Sequence, residues 1–101
     1  MRMLVHVKFP HEAFNARVKN GSAGKRIGEI LKELKPESTY FTEIEGHRAA
    51  ILIVDVAEPS RVPAIAEPWF LSFGASCEFR VVMSPDELGK AGLEGLGKKW
   101  A

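Results

Sequence analysis

The chain contains a single cysteine, Cys77, in 101 residues. That excludes an internal disulfide and a cysteine-rich zinc site, and it fits a reducing compartment. An excess of charge of either sign is also missing: 14 basic and 13 acidic residues leave a net charge of +1. No general field therefore draws the chain to nucleic acid or to an anionic membrane. No apolar run approaches the roughly 20 residues that cross a bilayer, and Met3-Leu4-Val5-His6-Val7 is interrupted by Lys8 and Pro10 too soon for a signal peptide. His11 and His47 fall at a helix start and a hairpin turn without a further ligand at suitable spacing, so no metal is expected. These absences predict one cytoplasmic domain over residues 1–101, with no cofactor and no nucleic-acid or membrane partner.

What the chain does have is the run Ala49-Ala50-Ile51-Leu52-Ile53-Val54, six consecutive apolar residues. Such a run describes a strand covered on both faces. A chain this short can cover one face with its own helices. The other face then needs a second copy of the chain or a ligand.

Taken in order, residues 3–9 alternate, with Met3, Val5, Val7 and Phe9 on one side and Leu4, His6 and Lys8 on the other. From His11 to Leu34 the period becomes helical through Phe14, Val18, Ile27, Ile30, Leu31 and Leu34. Asn20 to Gly24 interrupts it, predicting helices over 11–19 and 22–35 with Ser22 as a cap. Asn20 to Lys25 lacks the spacing of a phosphate-binding loop and reads as a kink. Residues 38–45 and 47–56 read as a hairpin turning at Glu45-Gly46-His47. A helix starts at Ser60 and is expected to bend or restart at Pro68, with the following aromatics plugging the core. Residues 76–83 alternate again, with Cys77, Phe79, Val81 and Met83 on the dry side. Ser84-Pro85-Asp86-Glu87 is a strong helix start, but glycines 89, 92, 95 and 97 weaken the C-terminal segment beyond it.

The order strand, helix, strand, strand, helix, strand predicts an α+β fold, the ferredoxin-like βαββαβ plan. Right-handed crossovers give a four-stranded antiparallel sheet in the order 4-1-3-2. Both helices then cover one face, over Met3, Val5, Val7, Phe79 and Val81. Leu4, His6, Lys8, Glu78, Arg80 and half of the third strand are left on the other. That mixture is too oily for water and too polar for a simple core, so two sheets are expected to pack face to face as a homodimeric α/β barrel, with a C-terminal helix or tail outside it.

The strand Met3–Phe9, the segment Ala66-Glu67-Pro68-Trp69-Phe70 and the run Cys77 to Leu88 resemble a group of small bacterial proteins of unknown function in the dimeric α/β-barrel superfamily. The resemblance covers nearly the whole chain and implies the fold. Relatives of that fold include cofactor-free monooxygenases, haem-degrading enzymes, isomerases and binding proteins, so no activity follows from it. The Asn/Trp/His pattern of the haem-degrading enzymes is not evident here.

On the uncovered face, His6, Lys8, Glu78 and Arg80 fall within cross-strand reach. His6 is the candidate catalytic base, with a carboxylate partner, and Lys8, Tyr40, Glu78 and Arg80 are the candidate ligand-binding groups, Arg80 to hold an acidic or enolic molecule. The competing reading makes the same charges a salt-bridge ladder in an interface. Tyr40, Glu43 and Asp55 join the site only if the register points them inward. Cys77 shares its side with Phe79 and reads as a small core residue. Three functional classes stay open: a homodimer binding a small, partly apolar or anionic molecule; a cofactor-independent monooxygenase or isomerase with His6 as base; and an assembly protein that uses Gly92–Trp100 as a docking arm.

Overall fold

The computed structural model describes residues 1–101. Its strands are β1 (Arg2–Lys8), β2 (Ser38–Ile44), β3 (His47–Asp55) and β4 (Ser76–Val81). They form one antiparallel sheet in the order β2-β3-β1-β4, which is the expected 4-1-3-2 read from the opposite edge. The helices are α1 (His11–Lys19), α2 (Ala23–Leu34), α3 (Val62–Phe73), α4 (Pro85–Gly89) and α5 (Leu93–Trp100). The β2–β3 hairpin closes through Glu45 and Gly46, both at positive φ (52° and 77°). That is the geometry whose twist matches antiparallel strands. The Glu43 carboxylate accepts from the Gly46 amide at 2.8 Å and pins the turn.

The core lies between the sheet and α1, α2 and α3. Val5, Val7, Ala50, Leu52 and Val54 supply the sheet side, and Phe14, Ile30, Ile65, Trp69 and Phe73 the helix side. Phe9, just past β1, sits at its centre. Its ring meets Phe14, Phe73 and Trp69 edge-on at 4.9, 5.1 and 5.8 Å, a geometry that aromatic quadrupoles favour. Two cations close the rim of this cluster. Arg48 lies over the Phe14 ring at 4.6 Å, and Arg17 lies over Phe73 at 5.2 Å while its Nε donates to the Ser72 carbonyl at 2.7 Å.

Several local expectations are corrected. The helix at Pro68 does not break: a 3-10 turn at Pro59–Arg61 leads into α3, which continues to Phe73 with Pro68 inside it. Pro68 forfeits one backbone hydrogen bond, but Trp69 and Phe73, one turn apart and completely buried, anchor the helix beside that gap. Phe70 faces out. Ser22 does not cap α2 with its hydroxyl, which accepts from Arg17 Nη1 at 3.2 Å. Val18 continues the apolar period of α1 yet is exposed, because the helix ends one residue later. Val81, expected to be buried, is 55% exposed, since β4 is an edge strand whose end outruns the helices. Met83 lies beyond that end and is also exposed.

Gly74 ends α3 at φ 63°, with its amide donating to the Phe70 carbonyl at 2.8 Å. A Cβ placed there would meet only Pro10 Cγ at 3.8 Å, so space is not the constraint. The left-handed backbone is. Gly74→Ala is therefore expected to lower stability by about 1 kcal/mol, read as a lower urea midpoint at unchanged slope.

Candidate functional site

The register decides which side chains share the uncovered face. Tyr40 pairs with Ile51, Ile51 with His6, and His6 with Glu78, so these four form one row across the whole sheet. Ser38, Ile53, Leu4 and Arg80 form the next row, and Thr42, Ala49, Lys8 and Ser76 the row on the other side. Because side chains alternate with period two, all twelve lie on one face, opposite the helices. Leu4, Ile51 and Ile53 make an aliphatic strip along the two central strands, and all three are partly exposed. Tyr40 flanks the strip on the edge strand, 65% exposed.

At one end of this face is a concavity of about 440 Å³, lined by His6, Lys8, Ile44, Glu45, Ser76, Glu78 and Arg80. Lys8 Nζ donates to Glu45 Oε1 at 3.1 Å, and Arg80 Nη2 donates to Glu78 Oε2 at 3.2 Å. The structure thus brings His6, Lys8, Glu78 and Arg80 together, with Tyr40 in the same row beyond Ile51. The expected partnership between Glu78 and His6 is not the one formed. Two residues apart on one strand, Glu78 and Arg80 point the same way, and the guanidinium, a stronger donor than an imidazole, takes the carboxylate. Both ends of that ion pair are more than half exposed, so it is weak.

Glu43 falls opposite Arg48, on the helix side of the sheet, and serves the hairpin turn. Asp55 is on the uncovered face but at its far end, where it accepts from the N-terminal ammonium at 3.0 Å. Neither joins the concavity. Glu45 does, although its place in the sequence marks it only as a turn residue. The signal was its position one residue beyond β2, but the reach of a turn over a neighbouring strand depends on sheet twist. The imidazoles of His11 and His47 stack at 4.2 Å, a pairing that sequence separation conceals.

Cys77 is opposite Val7 on the helix side and packs against the core beside Phe79. Burial pushes its thiol up to about 11, which fits a packing residue and opposes a nucleophile.

No family model matches the chain, and no curated protein matches it. Among solved structures it is similar to 5-chloro-2-hydroxyhydroquinone dehydrochlorinase from Burkholderia phenoliruptrix AC1100, in a complex with 2,5-dihydroxybenzoquinone. The two share 16% identity over 85% of this chain and 97% of that one, with a TM-score of 0.60. What they share is the fold. The chain is ferredoxin-like. A de novo designed protein, Ferredog-Diesel, aligns at 14% identity over 80% of this chain and 85% of its own, with a TM-score of 0.46. In this ferredoxin-like chain, no helix is long and apolar enough to cross a membrane.

Proposed function

We propose that two copies of this chain pack their uncovered sheet faces together and that the enclosed space binds a small, partly apolar, anionic molecule. The observation that carries this reading is the pair of rows Tyr40–Ile51–His6–Glu78 and Ser38–Ile53–Leu4–Arg80. Together with Lys8 in the adjoining row, they place an aliphatic strip and three potential cation donors, His6, Lys8 and Arg80, on one face that the chain leaves uncovered. The strip would bury against its copy, and the charged end would remain as a lined hollow. A volume of about 440 Å³ per subunit is within the range of small-molecule sites.

Within that hollow Arg80 is the anion clamp: a planar guanidinium that can exchange Glu78 for a ligand's acidic oxygen. Lys8 adds a point charge, and Tyr40 offers a ring and a hydroxyl from across Ile51. His6 supplies a donor or acceptor at the centre of the row. The dehydrochlorinase that shares this fold was solved with 2,5-dihydroxybenzoquinone, a flat ring with acidic hydroxyls. The acidic oxygens of a molecule of that kind suit Lys8 and Arg80 in exchange for Glu45 and Glu78, and its ring would lie against Ile44, the one aliphatic side chain of the lining.

That quinone is the natural probe, titrated by calorimetry while light scattering follows the mass. The wild-type chain is expected to bind it as a dimer. Arg80→Ala and His6→Ala are expected to weaken binding at least about 10-fold, the value of one or two charge-assisted hydrogen bonds, with the dimer intact. A single subunit at high concentration, or a dimer lost on mutation with affinity unchanged, would overturn the reading.

A further inference from the structure

The C-terminal arm, residues 84–101, has no place in the barrel. Its first helix is well started: Glu87 donates its amide to the Ser84 hydroxyl at 3.1 Å and accepts from the Ser84 amide at 3.0 Å, a reciprocal cap that holds the Glu87 carboxyl below its ordinary range. Yet neither α4 nor α5 buries a residue. Leu93, Leu96 and Trp100 are 59, 45 and 76% exposed. Their spacing of three and four puts them on one stripe of α5. The arm also stretches the molecule, whose radius of gyration is 17.0 Å and long axis 59 Å, against about 13 Å for a compact chain of this length. An eight-residue helix with Gly95 and Gly97 inside it is marginal by itself in water. Its stripe needs a surface to lie on.

We infer that this arm is exchanged, each copy laying Leu93, Leu96 and Trp100 on the body of a second copy of the same chain. This rests on the self-association proposed above but not on its sheet face, since it uses different side chains. The receiving surface is the apolar hollow of about 210 Å³ lined by Met1, Met3, Val56, Ala57, Pro59 and Val62, with Glu58 on its margin. Charge is complementary: the last turn of α5 carries Lys98 and Lys99, the former 3.9 Å from the exposed Glu94 of its own helix, and Glu58 lines the hollow. The hollow also adjoins the arm's root: the Val82 amide donates to the Arg2 carbonyl at 3.2 Å, and Arg2 Nη1 lies 3.7 Å from Glu87 Oε1. Roughly 400–500 Å² of apolar surface is free on each arm, so two arms and the surfaces they cover reach the 1,200–2,000 Å² of a stable interface.

The full chain labelled with 5-fluorotryptophan tests this, because its two tryptophans report separately: Trp69 is completely buried and Trp100 is free. With rising protein concentration, the Trp100 fluorine resonance is expected to shift in step with a doubling of mass by light scattering. Leu96→Asp should abolish that shift and raise the concentration of half-association at least about 10-fold. A shifted Trp100 at every concentration with a single-subunit mass means the arm folds back on its own body and overturns the exchange. So does a dimer in which Trp100 stays unshifted, or a shift that appears only when phosphatidylglycerol vesicles are added. Leu4→Asp separates the two proposals: a dimer with a shifted Trp100 in that variant sinks the face-to-face barrel and leaves the arm exchange standing.

Discussion

Trp69→Ala is expected to lower the unfolding free energy by about 3–5 kcal/mol, the range for removing a large aromatic from a packed core. Trp69 is completely buried, and its ring lies 5.8 Å from Phe9 and 6.4 Å from Phe73. Its removal would therefore open a cavity among aromatic side chains that hold one another in place. The loss also falls beside Pro68, which donates no backbone hydrogen bond to α3. Trp69→Phe separates the contributions. The indole Nε1 is buried without a partner, a cost of roughly 1–3 kcal/mol that phenylalanine would not carry. This variant should accordingly lose much less than the alanine. Urea unfolding of both variants measures the difference; a loss under about 1 kcal/mol for Trp69→Ala would show that the core does not centre on this cluster.

The second large effect is chemical. With its thiol pushed up to about 11 by burial, Cys77 should react with iodoacetamide at pH 8 roughly 100-fold more slowly than a free cysteine, since only the thiolate attacks. The rate should recover in denaturant. The same shift links to stability, and its sign depends on which state holds the proton. Between pH 9 and 11 the unfolded thiol ionises while the folded one stays neutral, so the stabilisation is complete below pH 9 and is lost as pH rises toward 11. Cys77 is only partly buried, and with solvent screening the loss is at most about 1 kcal/mol. Fast alkylation of the native chain at pH 8 would contradict a packing role and reopen Cys77 as a nucleophile.

Local pattern was enough for most of the architecture. The period-two alternation of residues 3–9, the helical period from His11 to Leu34 and the turn at Glu45-Gly46 are each written in neighbouring residues, and each element forms close to its expected bounds. The strand order followed from chain order and the handedness of crossovers. Where expectation and structure part, a long-range partner intervened. Pro68 stays helical because of what Trp69 and Phe73 touch, and Val81 is exposed because of where the helices stop.

The candidate site divides in the same way. Sequence placed His6, Lys8, Glu78 and Arg80 on one face, because alternation along a strand is a local property. It could not say which acid would serve which base, since a hydrogen bond between strands depends on register and on competing donors. Arg80 took Glu78, Lys8 took Glu45, and Glu43 fell to the other face by a single step of the pleat.

By itself, then, the sequence determined a βαββαβ sheet with an uncovered, half-apolar face, because helix and strand periods and turn residues act over a few positions. Only the tertiary structure decided that Tyr40 shares a row with His6, that Glu45 lines the hollow beside Lys8, and that the leucines of the arm stay exposed. Those outcomes depend on register, twist and reach, which arise only when distant segments meet.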